Sequence, residues 1–438
     1  MGSVALIDMA SAALTAGPAS GINVALVSKS SVGSGSQSGN GQSLQADVSA
    51  NGRFVAFQSD SSNINSGGKP GSQVYLKDLE TGAVSLISAA DIPAGVPAEP
   101  GSHNPSISDD GRFIAFESSA GNLQAGGSQD TNGKVDIYIY DQVARTITRV
   151  AAPNGQQPNN HSRSPAISGD GRYVSFASDA GNLSVQDVNS LRDVFRYNRE
   201  TGAIDLVSKR NLGGASNGSS DKPQISSDGT RIVYHSDATN LTNSDTNSAT
   251  DVFLAHLSAT SSATSRVSVT SSGAQANEDS TDPTISADGE TVAFSSSATN
   301  IVAGDTNAAA DIFLRKLTVG GTTQRVSLSL DRSQANGSSF APKVSADGTR
   351  VAFDSLASNL TNLVDSNQSR DVFVANISCS FSCTQLASIS VGGKVPNTVS
   401  ENARISADGN SVVFRSRAQL TADADKNSGG NDIYIRRF

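Results

Sequence analysis

Short runs in which apolar or aromatic residues alternate with polar ones recur along the chain, each introduced by a polar turn. A period of two marks strands with one buried face, and no stretch shows the three-to-four spacing of an amphipathic helix. The strongest pattern is an aliphatic residue, Ser, any residue, Asp or Asn, then Gly, leading into a strand. It occurs as Val48-Ser-Ala-Asn-Gly52, Ile107-Ser-Asp-Asp-Gly111, Ile167-Ser-Gly-Asp-Gly171, Ile225-Ser-Ser-Asp-Gly229, Ile285-Ser-Ala-Asp-Gly289, Val344-Ser-Ala-Asp-Gly348 and Ile405-Ser-Ala-Asp-Gly409. Successive glycines lie 59, 60, 58, 60, 59 and 61 residues apart, so seven units fill nearly everything after residue 21. Self-similarity at a fixed period is the mark of a repeat architecture.

Each unit predicts four strands. The Asp-Gly pair predicts a two-residue hairpin with positive φ at both central residues, joining a short strand A (Asn104 to Ser108) to a longer strand B (Arg112 to Ser118). A polar loop leads to strand C, as in Asp136-Ile-Tyr-Ile-Tyr140, and a second turn such as Glu200-Thr-Gly202 leads to strand D, Ala203 to Ser208. Four antiparallel strands per repeat describe a propeller blade, so the expected fold is an all-β, seven-bladed β-propeller. The seventh repeat stops at strand C, Asp432 to Phe438, while Asn23-Val-Ala-Leu-Val-Ser28 reads like a strand D with no blade of its own. Pairing the two would close the ring and cover an open sheet edge. The expected organisation is a tail or linker over 1–20 and one propeller over 21–438. Within it, 21–31 is the outer strand of blade 7, and blades 1 to 6 span 43–101, 102–160, 161–219, 220–279, 280–338 and 339–399; the rest of blade 7 spans 400–438.

These Ser-x-Asp-Gly hairpins followed by an apolar-aromatic strand resemble the TolB-like group of WD-like propeller repeats, over about residues 21 to 438. The resemblance implies the fold. Its members include interaction modules of cell envelopes, propellers attached to peptidases and lyases of acidic polysaccharides, so on function it supplies analogy alone. Phe57, Phe116, Phe176, Tyr234, Phe294, Phe353 and Phe414, with Tyr75, Tyr138, Phe195, Phe253, Phe313, Phe373 and Tyr434 in strand C, are expected to pack between blades. With no Trp, and Phe340 the only aromatic in the D-to-A loops, a carbohydrate-stacking site is weakly supported.

The loops between strands B and C carry the most distinctive polar signal: Asp130-Asn132-Asp136, Asp187-Asn189-Asp193, Asp245-Asn247-Asp251, Asp305-Asn307-Asp311, Asp365-Asn367-Asp371 and Asp425-Asn427-Asp432. Hard oxygens along a tight loop are what Ca²⁺ uses, so calcium is the one candidate cofactor. Asp and Asn also cap turns through nearby backbone N–H groups, and capping without metal is the weightier of the two readings. In blade 1, Asn65 to Gln73 lacks the motif, and the Asn of Asn122-Leu123, Asn182-Leu183, Asn240-Leu241, Asn300-Ile301 and Asn359-Leu360 reads as loop scaffold.

The net charge of −9 with no basic cluster disfavours a nucleic-acid partner, and no apolar run approaches the ~20 residues of a membrane-spanning helix. Cys379 and Cys383, without a third ligand, cannot complete a zinc site; a local disulfide is expected, with two free thiols as the alternative. The disulfide favours an extracellular, cell-surface or periplasmic setting, although Met1 to Gly21 has Asp8 in its apolar stretch and no basic start, unlike an export signal. Of the four histidines, only His103 and His161 in adjacent blades form a pair of catalytic interest, and no residue is assigned a catalytic role. Gly214-Ala-Ser216-Asn-Gly218 matches a nucleophile elbow but lies in a loop between strands rather than a strand-to-helix turn. The expectation is a non-enzymatic propeller binding a protein partner, or assembling with itself, through the face that bears the B-to-C and D-to-A loops. A polysaccharide lyase or hydrolase is the alternative, favoured if His103, His161 and Arg163 converge on the channel.

Overall fold

A computed structural model describes residues 22–438 except 31–36, 66–70, 91–95, 124–128, 212, 244, 259–261, 319 and 380–382. The expected tail over 1–20 and part of the first B-to-C loop therefore lie outside the described residues. Seven four-stranded antiparallel sheets stand in a ring, six of them built in chain order from an inner strand A to an outer strand D. In blade 3 these are Ser162–Ile167, Tyr173–Ser178, Asp193–Asn198 and Ile204–Leu206. A two-stranded ribbon, Ala89–Ala90 with Val96–Pro97, and one 3₁₀ turn, Pro153–Gly155, are the only other elements assigned among the described residues. Among the described residues, no helix is long and apolar enough to cross a membrane.

Blade 7 is closed as its sequence predicts. Asn23–Leu26 pairs antiparallel with Asp432–Arg437, in the register Asn23 with Arg437 and Leu26 with Tyr434. The side chain of Ser28 extends the closure by donating to Asp432 Oδ1 at 2.9 Å.

The A–B hairpin departs from the two-residue turn expected. Gly111 has φ +78°, whereas Asp110 is not left-handed, and the same holds at the other six turns. The reason lies in the motif's own side chains. Ser108 Oγ donates to Asp110 Oδ1 at 2.7 Å and accepts from Phe113 N at 3.0 Å, and Asp110 Oδ1 also accepts from Arg112 N at 2.9 Å. The serine and aspartate thus knit a longer loop in which only the glycine needs positive φ. That glycine also lies against the preceding blade: a Cβ on Gly111 would collide with the Phe54 ring.

The core is distributed between blades. Each strand B aromatic stacks on the strand C aromatic of its own blade, with ring centroids 5.7 Å apart for Phe57 and Tyr75 and 6.2 Å for Phe414 and Tyr434. The stacks then pack against the next sheet, as Phe176 and Phe195 do with Ile137 and Ile139 of blade 2.

Candidate functional site

Every strand A is interrupted by a bulge opposite strand B. In six blades a non-glycine residue there is left-handed: Asn104, Ser164, Lys222, Asp282, Ala341 and Asn402, with φ between 48° and 60°. Such a conformation costs about 1 kcal/mol or more per residue and persists only where its surroundings impose it. In three of these a side chain of the preceding blade holds the strained N–H: Gln58 accepts from Asn104 N at 3.4 Å, Glu117 from Ser164 N at 2.7 Å, and Asp354 from Asn402 N at 2.9 Å. Five of the bulges continue into proline, which has no N–H to lose. Bulges tend to re-aim side chains, and these residues line the mouth of the central channel.

The mouth is a cavity of about 450 Å³. Lys222, Lys343, Arg370 and Arg404 contribute positive charge to its wall, Asp282 and Asp354 negative charge. Lys222 pairs with Asp282 at 2.5 Å and Arg370 with Glu401 at 3.3 Å, leaving the arc of Lys343 and Arg404 in excess. Burial, with Arg404 alongside, pushes the Lys343 ammonium down to about 7, and burial pushes the Asp354 carboxyl up to about 7. Lys343 Nζ reaches Gln224 Oε1 of another blade at 3.2 Å, forming a bar below the mouth. Phe340, expected in a loop, is instead in strand A, Ser339–Val344, where it lines the mouth with the Arg370 guanidinium 4.3 Å from its ring centre. The bulge places it there.

At the opposite end the channel narrows. The turns after the seven A strands join in a closed girdle of backbone hydrogen bonds of 3.0 to 3.2 Å: Ala50 to Asp109, Asp109 to Gly169, Asp170 to Ser227, Ser227 to Ala287, Ala287 to Ala346, Ala346 to Ala407, and Ala407 back to Ala50. The residues are small because neighbouring turns approach closely. Above Gly169, Ser227 Oγ bonds Asp109 Oδ2 at 2.9 Å, where a Cβ on the glycine would intrude. The channel is therefore a funnel, wide at the loop-bearing face and constricted at the turn-bearing one.

In the B-to-C loops five of the six asparagines work as turn caps. Asn132, Asn189, Asn247, Asn307 and Asn367 each donate from Nδ2 to the aspartate that opens strand C, at 2.8 to 3.4 Å. Each of these also accepts a backbone N–H two residues on. Asn427 donates instead to the carbonyls of Gly41 and Asn431. Asp136, Asp193, Asp251, Asp311, Asp371 and Asp432 are at most 3% exposed, and burial raises the carboxyl of each above its ordinary range.

Their partners at the head of the loop divide the blades. In blades 4 and 5 a buried arginine from strand D bridges the two aspartates: Arg266 lies 3.1 Å from both Asp245 and Asp251, and Arg325 lies 2.9 Å from Asp305 and 3.3 Å from Asp311. Arg149 approaches Asp130 at 3.7 Å in blade 2. Asp425 in blade 7 is exposed and accepts from Asn427 N and Gly429 N, and Asp365 in blade 6 accepts from Asn367 N. No group of three His, Cys, Asp or Glu residues is placed to hold a metal among the described residues. The arginines were legible in the sequence, as Arg-Val before the end of strand D where other repeats have Leu-Val, Leu-Ile or Leu-Ala.

The remaining candidates stay apart from the channel. His103, His161 and Arg163 are all absent from the lining of the mouth. His161 Nδ1 accepts from Val135 N at 2.9 Å, and burial lowers the affinity of His103 for a proton. Ser216 of the elbow-like sequence is 3% exposed and donates to Asp193 Oδ1. Asn182, Asn240, Asn300 and Asn359 accept backbone N–H groups from the preceding D-to-A loops at 3.0 Å, a scaffold role. Cys379 and Cys383 form a disulfide between strands C and D of blade 6.

A ring of seven four-stranded blades around a funnel defines the class as a seven-bladed β-propeller. No protein-family model matches the sequence, and no curated protein does. Among solved structures, the chain is similar to an oligogalacturonate lyase from Vibrio parahaemolyticus, at 12% identity and TM-score 0.52 over 95% of this chain and 96% of that one. It is also similar to TolB from Acinetobacter baumannii, at 16% identity and TM-score 0.38 over 65% of this chain and 54% of that one. A putative TolB from Agrobacterium tumefaciens aligns at 14% identity and TM-score 0.40 over 84% of this chain and 98% of that one. The matched part thus spans about half of the Acinetobacter chain. At 12% identity the likeness to the lyase structure reaches the fold and stops there.

Proposed function

We propose that the protein is a non-catalytic binding module that receives an acidic segment of a partner protein at the channel mouth. The observation that carries this reading is the balance of charge there: with Lys222 paired to Asp282 and Arg370 to Glu401, Lys343 and Arg404 remain against Asp354, in a chain of net charge −9. Strained residues collected at one rim are a common feature of binding sites, and the funnel admits a ligand most readily from that rim. The same face presents apolar contacts, because Val185, Val188 and Val364 on its B-to-C loops are 96%, 76% and 87% exposed. An extracellular or envelope setting belongs to the same proposal and accords with the Cys379–Cys383 disulfide.

The test is binding of a fluorescent oligoglutamate peptide at low and moderate salt, with an oligolysine peptide as control. The oligoglutamate binds in a salt-sensitive manner, and Lys222→Ala combined with Arg404→Ala weakens it about tenfold or more. Undetectable binding at low salt, or binding indifferent to the double substitution, rejects the mouth as the site. Release of an unsaturated product from polygalacturonate would replace the non-catalytic reading with a lyase.

A further inference from the structure

The repeats solve one electrostatic problem in two ways. Blades 4 and 5 bury two aspartates and place a guanidinium between them, from the strand D position opposite the strand C aromatic: Arg266 faces Phe253 and Arg325 faces Phe313. In blade 3 that position is Leu206, opposite Phe195. The aspartates remain, with Asp187 8% and Asp193 1% exposed, and no Lys or Arg among the described residues forms an ion pair with either. Asp193 is well supplied, by Ser208 and Ser216 hydroxyls at Oδ1 and the Asn189 amide at Oδ2. Asp187 Oδ1, by contrast, is buried without a hydrogen-bond partner. Two neighbouring carboxylates withdrawn from water repel each other and lose solvation unless a cation compensates.

We propose that blade 3 binds a calcium ion between Asp187 and Asp193, in the place that a guanidinium occupies in blades 4 and 5. Carboxylate oxygens suit this ion, with water filling the remaining positions. Blade 6 shares the leucine, Leu386 opposite Phe373, but its Asp365 is only half-buried, so blade 3 carries the site.

The repeat itself supplies the decisive variant. Melting of the full chain is followed in chelator, in millimolar CaCl₂ and in equal MgCl₂. Wild type gains roughly 1–3 °C in calcium, as expected for a site of submillimolar affinity with few protein ligands, and less in magnesium. Leu206→Arg supplies the missing guanidinium: it melts higher than wild type in chelator and loses the calcium increment. Asp187→Asn, which keeps the shape of the side chain, also loses the increment and decides the matter if the arginine variant does not fold. Calorimetric titration with CaCl₂ gives one site in wild type and none in Asp187→Asn. No calcium shift in wild type, an equal shift in magnesium, or a shift that survives Asp187→Asn each overturns the assignment.

Discussion

Asp136 differs from its five counterparts at the start of strand C through the loss of a single hydroxyl elsewhere. In blades 3 to 7 a serine closing strand D donates to that aspartate, at 2.5 Å in the case of Ser208 and Asp193, and accepts the following backbone N–H, here from Val194 at 2.9 Å. Blade 2 has Ala151 in the serine's place, and Asp136 Oδ1 is buried with no partner. Ala151→Ser should therefore stabilise the protein by about 1–2 kcal/mol, read as a higher urea midpoint with an unchanged slope. Asp354 makes a second residue-scale prediction. Its carboxyl moves from an ordinary 3.8 to about 7, chiefly by burial, with Glu401 raising it further and Arg370 and the Asn402 and Ala403 N–H groups opposing. The folded state thus holds this proton more tightly than the unfolded chain does. The contribution of Asp354 to stability is greatest below about pH 4, falls as pH rises towards 7 and is constant above. Wild type should be more resistant to urea at pH 5 than at pH 7, and Asp354→Asn should flatten that difference while raising stability at pH 7. Lys343, pushed down to about 7, changes stability mainly above that pH, where its effect has the opposite slope.

At the scale of elements, the A–B hairpin couples local and global order. Gly111 must be left-handed for the loop to close and must lack a side chain for Phe54 of the preceding blade to pass. Gly111→Ala should cost about 2 kcal/mol or more, beyond the roughly 1 kcal/mol of the backbone conformation alone, with Phe54→Ala relieving part of the excess in a double-mutant cycle. Strands and blades were legible in the sequence because their determinants are local and seven times repeated. Ser108, Asp110, Gly111 and Phe116 recur at fixed offsets wherever the same hairpin is built. The channel mouth was not legible, for the opposite reason. Its bulge residues, Asn104, Ser164, Lys222, Asp282, Ala341 and Asn402, share a conformation but not a chemistry, and the Lys343–Gln224 contact joins positions 119 residues apart. In the B-to-C loops the Asp-x-Asn spacing was visible, yet its meaning depends on a strand D residue that only the sheet register brings opposite.

For the whole molecule, ring closure rests on four paired positions between Asn23–Leu26 and Asp432–Arg437, supported by the Ser28–Asp432 bond. Removing Asn23 to Leu26 would leave strand C of blade 7 as an open edge and expose its apolar neighbours, an invitation to pair with another chain. Light scattering should show larger species for that deletion, while a variant that shortens only the residues before 21 should match the full chain in size. The register of this closure also decides how the ring bears load. Asn23 lies beside Arg437, so the two partners begin and end at the same edge of the sheet, on the face that carries the tight turns. A force drawing residues 23 and 437 apart would meet the hydrogen bonds in succession, as the teeth of a zipper, rather than all at once in shear. The ring should yield first at its clasp under weak pulling while the other six blades keep their pairing.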